Sequence, residues 1–415
     1  MRSTILLIFT LCLIPVGFAQ DNPDIVDDSF LASATSLTVQ ETPHDLTNGQ
    51  AHSRFGIFGI DSIPNFNLHF FADGFDAYGN PNWDWYTNTV GNPPEMGGTT
   101  VINAPLQPVN VELDDANGNP RSIGGQPLTS LATPFVGLVL GSPVFSNALY
   151  SSGDTPTQFS DAIQRAQFFN HPMKPDWHTL LNPSAAAPLT LRVRQAATCT
   201  GGVTGCNYFF ALNADGTCCR FILMQISAFR SGLRNVVITD IVGNVITTQD
   251  ISSFLLPNTF LYTSDRRNCC ILGYHTYFFQ PASDPEKRWV VNYSSWVTAG
   301  LFRFPQDVTT LSHEIAETYN DPFIVSDGVH DRTPWWLSPN GHCQDGLETG
   351  DVIEGLQNSI FPMTMNNFTY HPQNEALMQW FEFMTPSDAL GGAYSYPDTT
   401  VLTQVSARQK AFCAP

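Results

Sequence analysis

The sequence predicts a mixed α+β fold organised round one functional helix, and three observations carry that prediction. Residues 307 to 323 repeat apolar side chains at helical spacing, and segments near 101 to 113 and within 190 to 250 read as strands joined by short turns. The cysteines that follow an N-terminal leader are even in number, which fits a disulfide-bridged exported chain. No internal repeat or low-complexity tract interrupts the 415 residues, and one domain over 96–415 accounts for the pattern better than two equal halves.

The helix has its own start and stop signals. Asp307 precedes the first apolar position and is placed to cap the orphan amides of the first turn, while Asp321-Pro322 ends the run. At about 100° per residue Val308, Leu311, Ile315 and Tyr319 form one stripe, with His313, Glu314 and Glu317 on roughly the other side. The expectation is a helix that buries one face and offers the other. His313, Glu314 and Glu317 form an HExxE pattern. In a zinc hydrolase of the HExxH kind the first His and the residue four later turn towards the metal, and the intervening Glu holds the attacking water. Here Glu317 stands where the second His would be. A solvated face of His and Glu is the plain alternative, and the downstream sequence argues against it.

Between residues 335 and 351 the chain reads WWLSPNGHCQDGLETGD, a polar, Gly-rich loop that delivers Glu348 and Asp351. An open three-ligand zinc site needs such a carboxylate from a separate element. Glu348 is the first choice for the third ligand and Asp351 the second. Zn²⁺ is the expected ion; two carboxylates and one imidazole make a hard, anionic site, so Mn or Ca remain open.

SHEIAETYNDP, then Trp335-Trp336, then LETGD is similar to the HExAE, (N/D)P, Trp, E-x-(G/A)-D run of secreted plant EXORDIUM (phosphate-induced) proteins. The same run resembles bacterial and fungal secreted proteins with a zincin-like HExxE signature. The likeness covers roughly residues 307 to 351. It implies a secreted zincin-like domain in which His313, Glu317 and a later acidic residue bind metal. The departure from HExxH leaves peptidase activity open.

Residues 1–19 show the basic start, the apolar run ILLIFTLCLIPVGF and the small-residue end of a signal peptide, with cleavage expected before Gln20. The run is shorter than the roughly 20 residues of a membrane span, so the mature chain is expected to be secreted and to have no membrane partner. Cys12 leaves with the leader, and Cys199, Cys206, Cys218, Cys219, Cys269, Cys270, Cys343 and Cys413 remain. Cys199 and Cys206 flank a short loop that they could close. Adjacent Cα atoms lie only about 3.8 Å apart, below the usual disulfide range, so Cys218-Cys219 and Cys269-Cys270 are expected to bridge to other cysteines. The formal net charge of -19 disfavours nucleic acid and anionic membrane surfaces as partners. Asn292-Tyr293-Ser294 and Asn367-Phe368-Thr369 are glycosylation sequons.

Residues 20–95 hold no convincing period and read as an irregular N-terminal segment. VINAPLQPVNVEL and PFVGLVLGSPVF read as strands around a turn at Asn117-Gly118, and residues 157–169 as an amphipathic helix with Ile163, Ala166 and Phe168 or Phe169 inside. Hairpins are expected about Asp215-Gly216 and Gly243-Asn244, and a closing helix over 370–384 with Leu377, Trp380 and Phe381 in the core. His275, beside an apolar run, reads as a hydrogen-bonded core residue; His330 and His342 lie near the acidic loop and could stabilise an oxyanion.

The function expected from these residues is metal-dependent hydrolysis, of the peptidase kind, acting on extracellular peptides or proteins. His313, Glu317 and Glu348 or Asp351 would hold Zn²⁺ while Glu314 takes a proton from the attacking water. Two ligand carboxylates neutralise a dication and weaken its effect on water. A non-catalytic extracellular or cell-surface binding protein with a structural ion is therefore the alternative. A glycan-active enzyme using Glu348 and Asp351 is a weaker third reading, since the two lie too close in sequence to be assured of flanking a sugar.

Overall fold

The computed structural model describes residues 61–75, 81–151, 155–199, 205–267, 269–280, 284–324, 335–341, 343–345 and 347–405, with Val26, Leu31, 52–53 and 56–57. The expected leader, Cys413, His330 and His342 lie outside these residues, as does the side chain of Cys343.

Within the segment read as irregular, β1 (Asn65–Phe75) and β2 (Pro81–Val90) form an antiparallel hairpin in which Phe66 faces Thr89. Asn92, Pro93 and Pro94, which follow β2, are among the turn formers that make this segment read as irregular. The long strand expected after it is present as β3 (Thr99–Asp114). The run expected as the next strand is instead α1 (Thr133–Leu140). A continuous apolar run has no period with which to choose between strand and helix, and Pro134 in the first turn fits helix, where its missing N–H costs nothing. The amphipathic helix is α2 (Phe159–Gln167); Phe168 is buried and Phe169 is exposed.

Strands β4 (His178–Ala185) and β5 (Leu189–Arg194) follow, then the expected hairpin of β6 (Tyr208–Leu212) and β7 (Cys218–Gln225). The second expected hairpin is overturned, because α3 (Ile226–Val242) occupies most of it. Phe229, Leu233, Val236 and Val237 are buried at spacings of three and four, and this period outweighs the β-branched run VVIT. Then come β8 (Ile251–Pro257), β9 (Thr259–Tyr262), β10 (Cys269–Ile271), β11 (Gly273–Gln280), β12 (Asp284–Trp296) and α4 (Thr309–Asn320). Of the expected closing helix only α5 (Met378–Phe381) is helical, though Leu377, Trp380 and Phe381 are all fully buried. Glu375–Ala376 pairs with Ser395–Tyr396 as strand instead.

The central sheet runs β5-β3-β8-β12-β11, with β4 also on β3. Parallel pairs join β3 to β4, β5 and β8, and β8 to β12, while β11 and β12 form an antiparallel hairpin. The helix α4 packs on β11, β12 and α2. Its stripe Val308, Leu311, Ile315 and Tyr319 is buried with Val90, Leu255, Val290 and Trp296, as its period predicts. A second sheet, β6-β7-β9-β10, lies under α3.

The cysteines depart from expectation. Cys199 and Cys206 close their loop, S–S 2.05 Å, but Cys218 pairs with Cys219 and Cys269 with Cys270. The second sheet explains why the two pairs do not reach each other. Cys269 faces Tyr262 on β9, and Tyr262 faces Gln225, at the far end of β7 from Cys218 and Cys219. Six residues of strand span about 20 Å, well outside disulfide reach. Of the sequons, Asn292 is fully buried and accepts a hydrogen bond from Thr318, whereas Asn367 is exposed.

Candidate metal centre

The chemistry gathers where α4 crosses the β11–β12 hairpin and the loop around residue 350 folds back over the helix. Asp307 does not cap the helix as expected. It sits at φ 41°, and its Oδ1 accepts from the amides of Val308 (2.6 Å) and His371 (2.9 Å), with Oδ2 2.6 Å from His371 Nδ1. It ties the start of α4 to the C-terminal segment. Nor does α4 leave a face open: Glu314 and Glu317 are 3% and 1% exposed, because β11 packs on Glu314 at Gly273 and the turn at Gly350 and Asp351 packs on His313 and Glu317.

Three residues of the expected site converge. His313 Nε2 lies 3.1 Å from Glu317 Oε2 and 3.4 Å from Asp351 Oδ1, and the three ligand atoms fall within 4.8 Å of one another. Asp351, rather than Glu348, is therefore grouped with the helix pair. Glu314 falls in a second group, with His275 and the same Glu317. His275 Nδ1 lies 3.4 Å from Glu317 Oε2, 3.5 Å from Glu314 Oε2 and 3.8 Å from Glu348 Oε2. His275 is thus buried, as expected, but it faces carboxylates and not only core.

The two oxygens of Glu317 are used differently. Oε1 accepts from the amides of Gly350 (3.0 Å) and Asp351 (3.3 Å), which docks the loop and sets Asp351 in place; Oε2 faces both imidazoles. Two glycines allow the close packing. A Cβ on Gly350 would stand 2.5 Å from His313 Nδ1, and one on Gly273 would stand 2.6 Å from Glu314 Oε1. Gln373 Nε2 donates to the Gly350 carbonyl (2.7 Å) and holds that turn against the ring. The cluster opens on one side, where the side chains of His313, Asp351 and Glu348 keep 12%, 8% and 19% exposure.

Burial and crowding set the protonation. Burial opposes charge on Glu317, but the His313 and His275 rings hold it well below the usual carboxylate range. Burial pushes Glu314 up to about 7 and Glu348 well above its ordinary value, the latter with help from Glu317. Both imidazoles are held well above 6.5: burial works against their charge and the surrounding carboxylates outweigh it. That the carboxylates outweigh burial at both rings marks a site that attracts positive charge. Its donors, imidazole nitrogen and carboxylate oxygen, suit Zn²⁺ and its first-row neighbours, so the residues fit a divalent ion.

Sequence reasoning did not select His275 or Glu375 for the site. Alternation along β11 was the available signal for His275, since Gly273, His275 and Tyr277 share one strand face. Glu375 is fully buried with Oε2 accepting from Thr349 (3.1 Å), and the charges of His313 and Glu317 act on it; no local pattern marks it. No family model, curated protein or solved structure matches the chain.

Proposed function

We propose that the protein is an exported, metal-dependent hydrolase of the zincin-like kind that cleaves peptide bonds. The observation that carries this reading is the convergence of His313 Nε2, Glu317 Oε2 and Asp351 Oδ1 from a helix and a loop at the open side of a buried cluster. A divalent ion held there would lower the pKa of a water molecule and polarise a substrate carbonyl. Two further carboxyls, Glu314 and Glu348, lie with Glu317 about His275 in the same cluster and are the candidates to take the water's proton. Glu314 Oε2 lies 3.5 Å from His275 Nδ1 beside the shared Glu317, and Glu348 is the more exposed of the two. The signal-peptide pattern of residues 1–19 and the EXORDIUM-like run over 307–351 support export and the metal site alike.

The test is cleavage of a mixed peptide library by the purified chain, read by mass spectrometry. We expect cleavage that a chelator abolishes, that added Zn²⁺ restores, and that His313→Ala lacks. Metal-loaded protein that cleaves nothing would shift the reading to an extracellular binding protein with a structural ion. The two ligand carboxylates favour that second reading, since they neutralise the ion's charge.

A further inference from the structure

We propose that the cluster holds two divalent cations, the second bound by His275 Nδ1, Glu314 and Glu317, so that Glu317 Oε2 is common to both. This rests on the first ion at His313, Glu317 and Asp351. The orientation of His275 is the first argument. Its Nε2 lies 3.1 Å from the Asp321 carbonyl, which can only accept, so Nε2 carries the hydrogen. In the neutral ring Nδ1 is then a lone pair, fixed by a backbone partner as metal-binding imidazoles usually are. That lone pair points at oxygens of Glu314, Glu317 and Glu348. Without a proton or a cation between them this contact is repulsive.

Distances separate a metal ion from a proton. An Nδ1–H in an imidazolium would draw one carboxylate in to about 2.8 Å. Among the described residues no carboxylate oxygen comes closer to Nδ1 than 3.4 Å, and two stand at 3.4 and 3.5 Å. Two ligands each about 2.0 to 2.2 Å from one ion lie about 3.3 to 3.6 Å apart at the tetrahedral angle. Charge points the same way. A dication at His313 would be matched by Glu317 and Asp351, and among the described residues the cationic group facing both Glu314 and Glu348 is the His275 ring. Among the described residues no Lys or Arg forms an ion pair with Glu314, Glu317 or Glu348. Two-metal hydrolytic sites hold their ions about 3.5 to 4 Å apart, a spacing that one shared carboxylate oxygen can bridge. With Glu314 a ligand, Glu348 on the open side takes the proton.

The test counts ions and needs no substrate. The full chain is stripped with a chelator, reloaded with Zn²⁺, freed of loose metal and assayed for zinc per chain, with circular dichroism as the fold control. We expect two equivalents in the native protein, one in His275→Ala and in His275→Gln, one in His313→Ala, and fewer than one in Glu317→Gln. Reloading with Co²⁺ adds a second readout, because two ions sharing an oxygen couple magnetically and lose the isolated-ion EPR signal that His275→Gln should recover. One equivalent in the native protein, unchanged by His275→Gln, overturns the second site and leaves the hydrolase reading standing. Two equivalents in both proteins overturn the assignment to His275, and none in the native protein overturns both readings.

Discussion

The second sheet and the face of the central sheet beneath α4 are buried to the same depth and filled with opposite chemistry. Phe209, Phe221, Leu223 and Phe260 pack the first with no measurable exposure. The second holds His275, Asn292, Ser294, Glu314, Glu317 and Thr318, each at 3% exposure or less. Burying apolar surface stabilises at roughly 25 cal/mol per Å², whereas burying a charge costs several kcal/mol unless it is paired. One region therefore stabilises the fold by its own composition. The other is tolerable only when something compensates its carboxylates, and that difference is why the candidate site is placed there.

The largest expected effect falls on the apolar side. Phe260→Ala should destabilise the protein by about 3–5 kcal/mol, by an amount that is the same with and without a chelator. An effect that changed with chelation would mean that the two regions are not separable. On the polar side chelation itself should lower stability, by about 3 to 4 kcal/mol where the ion stands at 100 to 1,000 times its Kd. Chemical denaturation of the native protein, with and without chelator, measures this, and curves that superimpose would remove the basis of the contrast.

A smaller change sharpens it. Gly350→Ala puts a Cβ where His313 Nδ1 now lies 2.5 Å away, so the ring must move, at a cost of about 1–3 kcal/mol and with weakened metal binding. Isothermal titration with Zn²⁺ would report this, and native affinity in the variant would mean that the turn gives way more easily than its Gln373 hydrogen bond implies.

The smallest effect tests an exception. Asp240 on α3 is a buried acid within the apolar region, and burial alone pushes it up from 3.8 to about 6. A carboxyl that holds its proton more tightly when folded contributes stability at pH below about 4 that is lost as pH rises through about 6. After allowance for solvent screening this amounts to about 1 to 2 kcal/mol. Asp240→Asn should abolish that loss, so the difference in unfolding free energy between variant and native protein should grow in the variant's favour from pH 4 to 7. A constant difference would show that Asp240 is better solvated than its position suggests.

Features decided by a few neighbouring residues could be read directly. The stripe Val308, Leu311, Ile315 and Tyr319, the turn at Asp215-Gly216, the Cys199–Cys206 loop and the i, i+4 pairing of His313 with Glu317 all rest on short-range geometry that the backbone repeats everywhere. Where a run lacked a period, as in α1, or offered two, as in α3, short-range reasoning chose strand and packing made helix. The bridging of Cys218 to Cys219 and Cys269 to Cys270 depended on which strands became neighbours, and β9 lies between their strands.

The same division runs through the candidate site. By itself the sequence determined the HExxE helix and the acidic loop near residue 350, because each is a local arrangement of residue types. Only the tertiary structure decided that Asp351 groups with His313 and that His275 faces Glu314 and Glu317. Those contacts depend on the crossing of α4 over β11 and on two loop amides that dock onto Glu317 Oε1. Both are long-range contacts whose geometry is set by packing, and a strand's two-residue alternation fixes which face His275 occupies without saying which helix will cover it.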